Sequence, residues 1–259
     1  MEIILDNVYY ESKTREENIN NVSYTFKNSI TFVSGISLNL IKELLFLEKE
    51  YLGNIYLSSR ANKKDIAYLS NCPSFKKDNL YEELVYLNKI YKLDYKDVNK
   101  KINDSIKMAN LYNSYLYRDF DNMTNNELKL SSLVVALFLN PKVIILDYFE
   151  KNLSNNIIEY IKKLLFKLNK MYDKNIIICS NNIDLYLNII KDIVIFNNGN
   201  IVYSGNDLYN SKIYKYIDAP NIISFIKYLD KKGHKFDRYI DIKELLKAIY
   251  RDVENKWDI

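Results

Sequence analysis

Glycine is scarce in this chain. Gly35, Gly53, Gly199, Gly205 and Gly233 are all that 259 residues contain, and no two lie within five positions of each other. A glycine-rich phosphate cradle needs several glycines in one tight turn, because only glycine lets successive backbone N–H groups converge on an anion. An intact nucleotide loop of either common type is therefore excluded. Histidine is rarer still: the single His234 rules out paired-histidine zinc sites and speaks against a Ser-His-Asp triad. Cys72 and Cys179 stand over a hundred residues apart, too few and too far for a disulfide framework or a zinc ribbon. No metal centre is expected. No apolar run approaches the roughly 18 residues that span a bilayer, and the opening MEIILDNVYYES lacks the shape of a signal peptide, so the expectation is a cytosolic chain.

What is present is a foldable globular composition. Apolar residues make up 48% and charged residues 27%, enough for one large domain or a core with a smaller appendage. The formal charge of +4 is modest, and lysines alternate with acids along nearly every segment. That pattern is a solvated surface, with no stripe for nucleic acid.

Periodicity divides the chain. Residues 2–10, 20–27 and 30–34 read as strands rich in β-branched and aromatic residues. Leu38–Glu50 carries apolar residues at helical spacing, followed by strands at 53–57 and 65–69. Residues 78–139 read as helical throughout. KVIILD at 142–147 and NIIIC at 175–179 are short continuous apolar runs of the buried parallel type, separated by a helix at about 155–170. A helix at 183–190, strands at 192–197 and 200–203 around Asn197-Asn198-Gly199-Asn200, and a helical tail from 206 complete the reading. Alternating strand, helix and buried strand predict an α/β core with a parallel sheet.

Three blocks then resemble one family in the right order and spacing. Met123–Ser154, MTNNELKLSSLVVALFLNPKVIILDYFEKNLS, aligns without a gap on the signature-to-D-loop block of ATP-binding cassette (ABC) ATPases, keeping Glu127, Ala136, Asn140, Pro141, Asp147 and Leu153. Asn175–Gly205 is similar to that family's switch-histidine strand, helix and last hairpin, and Ile66–Leu84 to its Q-loop segment. The tail Tyr216–Ala248 resembles the C-terminal extension of ATPases from energy-coupling factor (ECF) transporters. It has a helix start near Pro220, a break at Lys232-Gly233 and an Ile242-Lys243-Glu244-Leu245 helix start. The resemblance implies a P-loop NTPase-like α/β cassette over 1–206, with a RecA-like core, an antiparallel N-terminal part and a helical subdomain at about 78–139. A C-terminal helical extension would occupy 207–259.

The residues at the family's functional positions depart from its pattern. After strand 30–34 the loop should carry G-x-x-x-x-G-K-[ST], whose amides and lysine hold phosphates and whose hydroxyl holds Mg²⁺. One register keeps Gly35 as the first glycine and shortens the loop; the other puts Leu38 at the lysine and Asn39 at the hydroxyl. Asn71 stands at the Q-loop glutamine, Asn125 and Asn126 at the signature glycines within Met123-Thr124-Asn125-Asn126-Glu127, and Ser154 at the D-loop aspartate. Asp147 is kept, but Tyr148 replaces the catalytic glutamate and Asn181 the switch histidine. Losing base, histidine, lysine and signature together removes the positioning and charge stabilisation on which phosphoryl transfer depends.

Each position also has a plainer reading. Asp147 can be a strand-end carboxylate, Gly35 a turn, Asn125-Asn126 a helix cap, and Asn181 a turn residue. Asp78, Glu82 and Glu83 follow the Q-loop, where the resemblance implies a groove for a membrane subunit; they can pair with its basic groups or form a solvated helix face.

The resemblance implies a pseudo-ATPase subunit of an ECF-type transporter, holding ATP and Mg²⁺ weakly or not at all. Its implied partners are a second ABC ATPase subunit, as homo- or heterodimer, and a transmembrane coupling subunit on the inner face of the membrane. Two alternatives stand beside it: an ATPase with a reorganised loop in which Lys42 reaches back, and a scaffold outside transport.

Overall fold

The computed structural model describes residues 1–11, 18–36, 40–41, 43, 49–60 and 62–257, the side chains of 254–257 excepted. Strands β1 (Ile3–Tyr10), β2 (Ile19–Phe26) and β4 (Leu52–Leu57) form an antiparallel sheet in the order β2-β1-β4. A second sheet has the order β5-β6-β7-β3-β8-β9. It uses β3 (Ile30–Ser34), β5 (Ile66–Ser70), β6 (Val143–Asp147), β7 (Asn175–Cys179), β8 (Asp192–Asn197) and β9 (Asn200–Gly205). Its first five strands are parallel, and β9 folds back antiparallel on β8.

The alternation of side chains along the parallel strands creates two cores. Val33, Val143, Ile145, Ile177, Cys179, Val194 and Phe196 face the small sheet and pack with Ile3, Leu5, Val8, Phe26, Leu40 and Ile41. Phe32, Ile144, Leu146, Ile176, Ile178, Ile193 and Ile195 face the other way, toward the helices. Continuous apolar runs are thus what a sheet covered on both faces requires. Asn175 joins the sheets where they start: its buried amide donates to the carbonyls of Met1 at 3.0 Å and Phe26 at 2.9 Å.

Between β5 and β6 the chain makes a helical insertion of α1 (Leu80–Ile90), α2 (Val98–Met108) and α3 (Asn125–Leu139). Helix α4 (Asn155–Tyr172) connects β6 to β7 and buries Ile158, Ile161, Leu164, Leu165 and Leu168, a helical stripe. After β9, α5 (Asn221–Lys231) begins behind Pro220 and stops before Gly233, and α6 (Ile242–Trp257) follows. Asparagine fills the left-handed backbone positions that glycine usually takes: Asn7, Asn21, Asn110, Asn140, Asn152 and Asn198 all have positive φ. Asn198 and Gly199, both left-handed, make the two-residue turn of the β8–β9 hairpin.

Several local expectations are corrected. The stretch 78–139 is not helical throughout, because 109–124 holds two short 3₁₀ turns and no α-helix. Residues 183–190 form one 3₁₀ turn, Ile183–Leu185, and then turns, and the tail from 206 to 220 is irregular apart from Ile213–Lys215. Both stretches carry apolar residues that are buried in the helix-side core, so their spacing recorded burial and not helix.

Two predictions follow from this packing. A methyl group at Gly35 would lie 1.9 Å from the carbonyl oxygen of Phe196, at a φ of +84°. Gly35→Ala is therefore expected to destabilise the protein by about 3 kcal/mol or more in urea denaturation; a loss below about 1 kcal/mol would show that β3 and β8 can part. The second concerns alkaline pH. Burial before all else pushes the phenols of Tyr24 and Tyr214 up to about 12, and it raises those of Tyr148 and Tyr186 as well. These phenols stay protonated in the fold but ionise near 10 once unfolded, so their stabilisation is whole below that pH and is lost as pH rises toward their folded values. Burial lowers Lys101 and Lys174, which act in the opposite sense only up to the usual lysine value of 10.5. The urea midpoint should fall steeply between about pH 10.5 and about pH 12; a flat midpoint there would contradict it.

Candidate functional site

The C-terminal ends of β5, β6, β7 and β3 lie side by side, and most of the positions singled out in the sequence sit on that edge. In open parallel sheets this is the edge where ligands bind. Asn71 follows β5, Asp147 ends β6, Tyr148 comes next, Asn181 follows β7 and Gly35 follows β3. Leu38, Asn39 and Lys42 lie outside the described residues.

Hydrogen bonds within the chain join these residues. Asp147 is buried, and its Oδ2 accepts from the Tyr68 hydroxyl at 2.5 Å. Tyr148 has a left-handed backbone (φ 49°), and its N–H donates to the Cys179 carbonyl at 2.9 Å. Its hydroxyl donates to Asn181 Oδ1 at 3.1 Å, joining the loop after β6 to the loop after β7. Burial raises the Tyr148 phenol, with Cys179 and the carboxylates of Asp147 and Glu150 adding to the shift. A phenol held protonated and a neutral amide cannot take a proton from water at neutral pH. Burial likewise pushes the Cys179 thiol up, and Asp147 adds to it, so that sulfur is held as an unreactive thiol.

Asn71 gives its carbonyl to Lys129, a residue the sequence reading passed over. Lys129 lies on α3, is fully buried, and donates to Asn71 Oδ1 at 2.9 Å, to the Phe149 carbonyl at 2.9 Å and to the Lys151 carbonyl. Burial lowers its pKa, and Glu150 partly restores it. Glu150 in turn accepts from Ser180 at 2.6 Å and from the buried Tyr186 at 3.3 Å. A signal for Lys129 was available, since it falls in helical register with Leu133, Ala136 and Leu137 on the buried face. Tyr68, Ser180 and Tyr186 carried none, because their roles arise from contacts across strands.

The signature-like segment opens α3. Its N-cap is Thr124, in a capping box with Glu127: Thr124 Oγ1 accepts from the Glu127 N–H at 3.4 Å, and Glu127 Oε2 accepts from the Thr124 N–H at 2.7 Å. Asn125 and Asn126 therefore do not cap the helix; they are its first two residues, with Asn125 exposed. Met123 is buried and its sulfur accepts from Ser131 at 3.6 Å. Hydrogen bonds to the Tyr115 hydroxyl and the Thr124 backbone hold Glu127 below the usual carboxylate range.

The acidic residues before α1 separate. Asp78 and Glu82 are exposed, but Glu83 is turned inward, where Oε2 accepts from the N–H groups of Lys76 at 2.8 Å and Lys77 at 3.0 Å. The expectation of an exposed Glu83 is corrected: its carboxylate fixes the turn entering α1. Asp78 lines a groove of about 640 Å³ with Asp119 and Asp121, beside the stacked rings of Phe75 and Phe120 at 3.8 Å. A separate cleft of about 410 Å³ lies between Ser34, Asn181 and the segment Tyr214–Asp218.

No protein-family model matches the sequence. Among curated proteins it is 24% identical over 241 residues to the energy-coupling factor transporter ATP-binding protein EcfA3 of Oenococcus oeni, covering 85% of this chain and 82% of that one. It is 23% identical over 241 residues to EcfA2, of the same description, from Staphylococcus epidermidis, covering 83% and 84%. Among solved structures it resembles cbiO1 of Clostridium perfringens, described as part of the ABC transporter complex cbiONQ. That match has a TM-score of 0.68 at 15% identity, over 90% of this chain and 97% of that one. The bacterial ABC transporter cassette MJ0796 matches with a TM-score of 0.67 at 19% identity, over 79% and 98%. The fold is that of an ABC ATPase cassette.

The Tyr68–Asp147 bond generates the test of this edge. Tyr68→Phe removes one donor to a buried carboxylate and should cost about 1–3 kcal/mol, read as a lower urea midpoint. An unchanged midpoint would mean that the bond does not hold β5 to β6 at their ends.

Proposed function

We propose that this chain is a degenerate ATP-binding subunit of an ECF-type ABC transporter, one that does not hydrolyse ATP and serves as the coupling or structural partner of an active ATPase. The cassette fold and the similarity to the ECF transporter ATP-binding proteins EcfA3 and EcfA2 support the transporter part of the reading. No helix among the described residues is long and apolar enough to cross a membrane, so a separate transmembrane subunit would supply the path. That subunit would dock at the groove bearing Asp78, Asp119 and Asp121, whose carboxylates outnumber the one lining lysine, Lys77, and suit basic groups, with Glu82 exposed on α1.

The observation that carries the non-hydrolysing part is the pair of bonds on the sheet edge, Tyr68 to Asp147 and Tyr148 to Asn181. The residues do not fit a hydrolytic Mg–ATP site. A carboxylate that would orient the metal is engaged by a phenol, and a phenol and an amide stand where a base and a histidine are needed. With no lysine at Leu38 and no hydroxyl at Asn39, no side chain at those positions would draw in a triphosphate. No reaction step is therefore assigned to this chain. It would lend its cassette to a dimer whose partner hydrolyses ATP.

Calorimetry of Mg-ATP with the purified chain, beside an intact cassette as positive control, tests this. No binding heat at millimolar ATP is the expected outcome. Stoichiometric binding with measurable turnover would overturn the non-hydrolysing reading, while binding without turnover would overturn only its loss of ATP.

A further inference from the structure

The helical insertion leaves the parallel sheet after β5 and returns to it before the neighbouring strand β6. Its covalent links to the core are the segments 71–79 and 140–142. Apolar packing holds it against the core, but such packing is non-directional and does not fix one angle. Directional contacts do, and one residue makes three of them.

We propose that Lys129 acts as an internal cation that fixes the helical insertion at a single orientation to the sheet, so that insertion and core move as one body. The ammonium has three N–H donors, and each finds an oxygen from outside α3. One is Asn71 Oδ1 on the outgoing link; the others are the carbonyls of Phe149 and Lys151, in the core loop after β6. Lys129 thus ties the last helix of the insertion to its first link and to the end of β6. A lysine side chain with no exposed surface is retained at such a point only if its charge is satisfied, and removing it would take the donor from the buried Phe149 carbonyl and from two part-buried oxygens. The ring of Phe149, 5.7 Å from the ammonium, closes one side of the pocket. A second tie lies elsewhere, from the Tyr160 hydroxyl of α4 to the Met108 carbonyl at the end of α2, 2.9 Å. That tie restrains position; with the triple contact of Lys129 it also restrains rotation. The proposal does not rest on the chain's nucleotide chemistry, and its test uses no nucleotide.

Spin labels at Tyr112→Cys on the insertion and Met171→Cys on α4, both exposed positions, report the angle by pulsed EPR in a Cys72→Ser background. The buried Cys179 remains in place. The parent protein should give one narrow distance. Lys129→Met should broaden or displace it, while amide exchange in β3 and β7 stays as slow as in the parent. An unchanged narrow distance, or a loss of protection spread over the whole chain, would overturn the proposal. If Lys129→Met fails to fold, Asn71→Leu takes its place, since it removes one acceptor and leaves the ammonium two carbonyls. The distance should again broaden, and a narrow one identical to the parent's would overturn the proposal.

Discussion

Parallel strands that end on a common edge leave polar side chains and loop carbonyls pointing into the same space, and something must satisfy them. In this protein the chain does so from within. Tyr68 reaches Asp147, Tyr148 reaches Asn181, Ser180 and Tyr186 reach Glu150, and Lys129 reaches Asn71 and two carbonyls. Each bond joins segments that follow different strands or belong to the insertion, so the edge is a cross-linked surface. The positions of β5, β6 and β7 relative to α3 depend on it. Most of these bonds are at least partly buried, and side-chain networks of this kind are worth more together than singly.

Beneath that edge the two cores meet at one sheet, and this explains the extreme hydrophobicity of β6 and β7. Every residue of Val143–Asp147 and Asn175–Cys179 is buried, with alternate side chains serving opposite cores. The polar residues these strands retain lie at their ends. Asn175 at the start of β7 bonds to both ends of the N-terminal β1–β2 hairpin region, while Asp147 and Cys179 close the other end. Position along the strand thus separates the structural polar contacts from those on the candidate site.

Much of this was legible beforehand. The parallel strands, the β8–β9 turn with Asn198 and Gly199, and the break at Gly233 follow from runs and turn residues whose physics is local. The edge residues Asp147, Tyr148, Asn71 and Asn181 could be located because the spacing of three blocks placed them. Their bonding could not be read, since a phenol on β5 meeting a carboxylate on β6 depends on strand register, which sequence periodicity leaves open. The same holds for Glu83, which reads as one more acid on a charged helix start but folds inward to hold two backbone amides. Residues 183–190 misled for a related reason: Ile183, Leu187 and Ile189 are buried, and a buried irregular segment imitates an amphipathic helix.

Chemistry at the edge also sets what it will attract. Asp147 and Glu150 bring negative charge to the strand ends, and Lys129, a buried cation nearby, has its three donors turned to oxygens of this chain. The N-terminus of α3 offers little more to an anion, because Glu127 folds back over it and places a carboxylate where the helix dipole is positive. Neutral partners such as the Asn181 amide and the Tyr148 phenol hold each other on the sheet edge without creating a field that favours further charge. A surface cross-linked in this way is suited to transmitting position between the insertion, the loop after β6 and the sheet.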